Sequence, residues 1–192
     1  MAGLFAEYRP RGGGDVDDAA RTVPSASLVI RDVVEADVDA VARIVHERDG
    51  GELAAHVAGL ERGLRNRPNP PDDLLLAAVV EGRVVGFARA RTFEPPAGAP
   101  ANCAPAGWYL NGVTIAPDMR RRGVALALTR ARMSHVARHA DSVWCFTNVM
   151  NRASVDLHAR LGFVEVTRDF WFPGVTFAGG TGILLRAELD RP

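Results

Sequence analysis

The sequence predicts an α/β domain with a mixed sheet, and three observations carry that expectation. Short apolar, β-branched runs alternate along the chain with segments whose apolar residues recur at helical spacing. Leu74 to Val80 and Val84 to Arg91 are two such runs, and Glu81-Gly82-Arg83 joins them in the manner of a hairpin. Trp108 to Ala131, WYLNGVTIAPDMRRRGVALALTRA, changes after Pro117 from strand-forming residues to Ala, Leu and Arg, which favour a helix.

Residues 1–26 combine a Gly triplet, Asp17-Asp18 and small polar residues with little periodicity, so a mobile extension is expected there and a folded domain over 27–192. Leu28 to Arg31 reads as a first strand. Glu35 to Arg48 places Val38, Val41, Ala42 and Val45 at helical spacing, and Glu52 to Arg65 does so with Leu53, Val57, Leu60 and Leu64. The segment Asn66-Arg67-Pro68-Asn69-Pro70-Pro71 stops the second helix. After the hairpin, Glu94 to Gly107 is too rich in Pro, Ala and Gly for regular structure. Trp108 to Ile115 is the central strand, and the helix after it runs from about Arg122 to His139 with a stripe of Val124, Ala127, Leu128 and Ala131. Ser142 to Thr147 is a strand, Ala153 to Leu161 a short helix, and Phe163 to Phe172 and Gly182 to Leu189 the last two strands. Gly112, in mid-strand, marks either a bulge or a close approach to a bulky neighbour.

Composition narrows the function classes. The 192 residues suit one domain, and 47% hydrophobic content is ordinary for a globular chain. Twenty-three basic and 23 acidic residues cancel, so no global field draws the protein to nucleic acid or an anionic membrane. Every basic side chain apart from the histidines is arginine, a bias expected of a GC-rich bacterial source. Cys103 and Cys145 are too few for a metal cluster or disulfide scaffold and read as free thiols in a reducing cytoplasm. No apolar run is long enough to span a bilayer. His135 and His139 have the spacing of a helical metal pair, but lack a third ligand and fit a cationic last turn better, so no metal is expected.

The turn before the long helix is suited to an anion. A helix begins with four N–H groups lacking intrahelical partners and with partial positive charge. A glycine there lets backbone approach, and Arg120, Arg121 and Arg122 add charge, so the turn reads as a pyrophosphate cradle. The alternative is a basic turn on a solvated face, capped by Asp118.

Arg120-Arg121-Arg122-Gly123-Val124-Ala125, following a strand that ends in Ile115-Ala116-Pro117, resembles the acetyl-CoA signature of the GNAT superfamily of N-acyltransferases. That signature is Gln or Arg, two residues, Gly, one residue, then Gly or Ala. Asn151 to Phe163, NRASVDLHARLGF, resembles the family's later motif of Asn, Ser, Leu-Tyr and Leu-Gly-Phe. The two motifs occur in the family's order. The resemblance implies a GNAT fold, a mixed and mostly antiparallel sheet of about seven strands flanked by about four helices, in which two strands splay to admit the pantetheine arm.

The resemblance also implies a chemistry. Acetyl-CoA is the cosubstrate, and its pantetheine pairs with the backbone of the Val113-Thr114-Ile115 segment like an extra strand. The N–H groups of Gly123, Val124 and Ala125 face the pyrophosphate, with charge from Arg120, Arg121 or Arg122. Asn151, in one motif with Ser154, contacts the pantetheine region or else caps the following helix. His158 stands where the family usually has a tyrosine that protonates the leaving thiolate, and is read as a general acid or as a partly buried structural histidine. Tyr109 and Asn111 fall where some members place a general base; neither is a base at neutral pH, and each is a candidate for positioning the acceptor or a water.

Acyl transfer to an amine needs a held thioester, oxyanion stabilisation and proton transfer. The expected function is acetylation of the primary amine of a small molecule by direct transfer in a ternary complex, in the cytoplasm. A protein N-terminus is an alternative acceptor, and a non-catalytic CoA-binding regulatory module is the competing class. The resemblance also suggests a homodimer.

Overall fold

The computed structural model describes residues 27–66, 72–177 and 179–191. The expected N-terminal extension, and residues 67–71 of the helix-stopping segment, lie outside the described residues. Among the described residues seven strands and four α-helices follow one another: β1 (Leu28–Asp32), α1 (Val38–Asp49), α2 (Leu53–Arg65), β2 (Asp73–Val80), β3 (Arg83–Phe93), β4 (Gly107–Ile115), α3 (Val124–Val136), β5 (Ser142–Asn148), α4 (Arg152–Ala159), β6 (Val164–Thr167) and β7 (Gly182–Glu188). The strands form one sheet in the order β1-β2-β3-β4-β5-β7-β6. Only β4 and β5 run parallel; the other neighbours are antiparallel, giving the expected mixed sheet.

Alternation along each strand sorts the side chains to two faces. On one face Leu76, Val85, Ala88, Leu110, Ile115, Val143 and Leu185 pack with Val124, Leu128 and Val136 of α3, and Val155 and Leu161 of the α4 region lean against this core. On the other, Val41, Ile44 and Val45 of α1 cover Ala77, Val79, Val84 and Ala116. Beside them Tyr109, Phe146, Phe172 and Leu184 form a separate aromatic cluster, with Phe93, Trp144, Phe170 and Phe177 around it.

Two expectations need correction. The penultimate strand was expected over Phe163 to Phe172, but β6 has four residues. Beyond it Phe170 and Phe172 turn inward onto the aromatic cluster, and burying those rings outweighs extending a ladder at the sheet edge. The stripe of α3 is also rotated. Its buried residues are Val124, Leu128, Thr129, Arg132 and Val136, while Ala127 and Ala131 are half-buried.

Candidate acetyl-CoA and acceptor site

The site begins with an irregularity in β4. Ala88 pairs with Val113 and Arg89 with Asn111, so Gly112 is the extra residue of a β-bulge. Its φ of +62° lies in the left-handed region, and no atom lies within 4 Å of where a Cβ would sit. Conformation, not crowding, therefore selects glycine here. After the bulge the two sides of β4 face different surroundings. One edge stays laddered to β3, from Asn111 to Ile115, whereas the other meets β5 at the single pair Tyr109 and Trp144. Beyond that pair β4 has no strand neighbour on the β5 side among the described residues, which leaves an edge on which another extended chain can lie.

That edge leads into the turn before α3. Arg121 and Gly123 both adopt positive φ, +61° and +81°. Gly123 is the residue before the helix, and no side chain caps the first turn. Asp118, the residue suited to cap it, is bonded instead to Arg83 at 2.6 Å. The N–H groups of the first turn are thus without a side-chain acceptor among the described residues, as an anion cradle requires. Arg120 reaches back to the carbonyl of Ile115 at 3.2 Å, while Arg121 and Arg122 are exposed.

The opposite side of β4 faces α1. Arg48, near the end of α1, donates to the Thr114 hydroxyl and is paired with Asp49 at 2.6 Å. Thr114 therefore directs its side chain toward α1 and has only its backbone to offer the slot. Asn111 alternates with Leu110 and so faces this side too, and its Oδ1 is buried with no hydrogen-bond partner among the described residues. A buried carbonyl oxygen in that state is a place for an N–H donor.

The three candidate catalytic residues occupy different settings. Tyr109 is 0% exposed, enclosed by Phe93, Phe172 and Trp144, and its hydroxyl donates to the carbonyl of Pro105 at 2.7 Å. Burial pushes its ionisation well above the ordinary tyrosine range. The ring is a wall of the aromatic core, and the hydroxyl is held by the Pro105 carbonyl. Tyr109→Phe should leave turnover unchanged and cost about 1 kcal/mol of stability in urea unfolding, the net worth of one hydrogen bond.

His158 is 5% exposed on α4, edge-on to the Phe163 ring at 5.0 Å between centroids. Its Nδ1 lies 2.8 Å from the Ser154 carbonyl oxygen, which assigns the proton to Nδ1. Burial pushes its pKa down to about 4; the Ser154 bond opposes that shift and the charge of Arg132 adds to it. Asn151 caps α4, its Oδ1 accepting the Ser154 N–H at 3.2 Å. The structure thus brings the Val113–Ile115 edge, the Gly112 bulge, Asn111 and the Arg120–Ala125 turn along one line. Asn151, Ser154 and His158 lie on α4 and its N-cap, bonded to one another through Asn151 Oδ1, the Ser154 backbone and His158 Nδ1. Sequence reasoning missed Arg132, buried behind the bulge, because its spacing from Leu128 was the only signal and arginine is read as surface.

A seven-stranded sheet with a bulged strand splayed from its parallel neighbour, next to an uncapped helix start, defines an acyl-CoA-dependent transferase fold. Residues 44–163 match the Acetyltransferase (GNAT) family, and the chain belongs to that family. Among solved structures, ribosomal-protein-alanine N-acetyltransferase from Brucella melitensis is 22% identical, with TM-score 0.60, covering 84% of this chain and 99% of that one. A phosphinothricin acetyltransferase from Sinorhizobium meliloti, in complex with acetyl-CoA, is 17% identical with TM-score 0.61, covering 85% of this chain and 89% of that one. At such identities these likenesses speak for the fold alone. No curated relative matches the chain. Acetyl-CoA is the cosubstrate of the family, and the open β4 edge and uncapped α3 turn fit it. No helix among the described residues is long and apolar enough to cross a membrane.

Proposed function

We propose that this acetyltransferase moves the acetyl group of acetyl-CoA to the primary amine of a small molecule by direct transfer in a ternary complex. The observation that carries this is the continuous path from the uncapped start of α3 along the unpaired edge of β4 to the bulge at Gly112. An extended pantetheine on that edge brings its thioester to the bulge, with Asn111 on the far side of the strand. The Asn111 Oδ1, which is buried and without a hydrogen-bond partner among the described residues, would then accept from the incoming amine.

Direct transfer is favoured over an acyl-enzyme because no suitable thiol stands at the bulge. Cys145 is enclosed in the core and burial pushes its thiol far above the range where thiolate forms. A small acceptor is favoured because Arg48, bonded to Thr114, brings the end of α1 down onto the acceptor side. A protein N-terminus is the alternative acceptor, as the name of the Brucella relative suggests. The non-catalytic reading draws on the settings of His158 and Tyr109, neither of which presents a ready proton donor or acceptor.

Titration calorimetry with acetyl-CoA, and with ATP as control, tests the donor site. Acetyl-CoA should bind in the micromolar range and ATP should not. Release of CoA thiol in the presence of a panel of amines, amino acids and N-terminal peptides then tests transfer. Binding without thiol release for any acceptor would favour the non-catalytic module, and no acetyl-CoA binding by folded protein would remove the donor site.

A further inference from the structure

The helical side of the bulge holds a charged group in the middle of the core. Arg132 of α3 is 1% exposed, and no carboxylate pairs with it among the described residues. Leu128 and Val136 lie one turn to either side of it on α3, and its charge acts on the buried Cys145 and His158. Burying a guanidinium away from an anion is costly, and an apolar residue of similar volume would fill the space at less cost. The cation therefore has to be explained by what it holds.

It holds the bulge. One terminal nitrogen donates to the carbonyl oxygens of Arg89 and Gly112, at 3.0 and 3.1 Å. These carbonyls belong to the two strands at the register shift, where the regular ladder is broken. The second terminal nitrogen donates to Thr129 Oγ1 at 2.9 Å, and that hydroxyl donates to the carbonyl of Ala125 at 2.8 Å. A chain of hydrogen bonds thus runs from Gly112 through Arg132 and Thr129 to Ala125, the last residue of the cradle sequence. Its two ends are the two places that acetyl-CoA is proposed to touch.

We propose that Arg132 is a positioning residue for the thioester, locking the bulged edge of β4 to the first turn of α3 so that pantetheine and pyrophosphate are held in one frame. It rests on the acetyl-CoA reading above. The peptide between Gly112 and Val113 is planar, so fixing the Gly112 carbonyl also fixes the following N–H. The guanidinium fork reaches the two backbone carbonyls with one terminal nitrogen and the hydroxyl with the other, leaving only Nε without a partner among the described residues. A lysine offers one nitrogen, and a methionine offers none.

The test compares two ligands on three folded proteins by calorimetry: wild type, Arg132→Met and Thr129→Val, each with acetyl-CoA and with the 3′-phospho-ADP half of CoA, which lacks the pantetheine arm. Arg132→Met should weaken acetyl-CoA about tenfold or more and change the nucleotide half by less than about twofold. Thr129→Val, which keeps the side-chain volume and removes the hydroxyl, should weaken acetyl-CoA about threefold with the same selectivity. A merely structural role would lower both affinities together, so an equal loss overturns the proposal, as does unchanged acetyl-CoA affinity in Arg132→Met. Should Arg132→Met fail to fold, Thr129→Val decides, and unchanged acetyl-CoA affinity there overturns the proposal. Failure of the wild type itself to bind acetyl-CoA overturns the donor-site reading, and is visible before any variant is made.

Discussion

Gly123→Asp abolishes acetyl-CoA binding in a chain that still folds, the result expected from calorimetry and circular dichroism on one preparation. Gly123 sits at φ +81° and ψ −7°, immediately before α3. A side chain at left-handed φ costs about 1–2 kcal/mol, but aspartate is among the residues that tolerate it best. Its carboxylate would also face uncapped N–H groups and the positive end of the helix, which returns part of that cost. The fold is therefore expected to survive. The same carboxylate occupies the place of the pyrophosphate and repels it, so binding is lost. Gly123→Asn separates the two effects, because it adds the bulk without the charge and should bind weakly. Full affinity in a folded Gly123→Asp protein would remove the cradle.

The second large effect lies in the acid response of stability. In an unfolded chain His158 titrates near 6.5, whereas in the fold burial pushes it to about 4. Between those values the unfolded chain carries a proton that the folded chain excludes. Falling pH in this window therefore favours unfolding; the stability is present above 6.5 and is lost as pH approaches 4. At pH 4.5 the loss from this residue is about 2 kcal/mol relative to pH 7. Urea unfolding of wild type and His158→Gln at both pH values measures it, the variant being expected to lose that much less on acidification. Equal losses would reject a neutral, buried imidazole. The same setting bears on catalysis, since the protonated ring that a general acid requires is a minor species at neutral pH.

The sequence carried much of this architecture because its strands and helices obey their periods. Val41 and Val45 lie inward on α1 at the expected spacing, and the hairpin turns at Glu81 and Gly82, both at positive φ. The turn at Gly123 was legible because a glycine before a helix after a run of arginines has a local meaning, and the structure has that glycine at positive φ just before α3. Gly112 was readable as one of two things, and only the register of β3 against β4 decided for the bulge. Arg132 and Tyr109 were not legible for one shared reason: their roles are set by partners far away in the chain. Arg132 acts on the carbonyls of Arg89 and Gly112, and Tyr109 is closed in by Phe172. Phe170 and Phe172 were read as strand residues because their local pattern is apolar; the rings' destination is a property of the sheet face they cover.

The contact between β4 and β5 through the single pair Tyr109 and Trp144 has a mechanical meaning. Strands β1 to β4 form one ladder and β5, β7 and β6 another; the two share one rung, while the core under α3 and the aromatic cluster pack across the gap. A peptide-like ligand lying along the open edge of β4 acts as a splint between the ladders, stiffening the molecule without being part of its covalent chain. For a ligand that binds only the joined form, that stiffening appears as added resistance to unfolding, about 2.7 kcal/mol at a hundred times the dissociation constant. The opening between β4 and β5 is thus the line along which the proposed cosubstrate would tie together two ladders that otherwise meet through one backbone pair and the cores packed on either face.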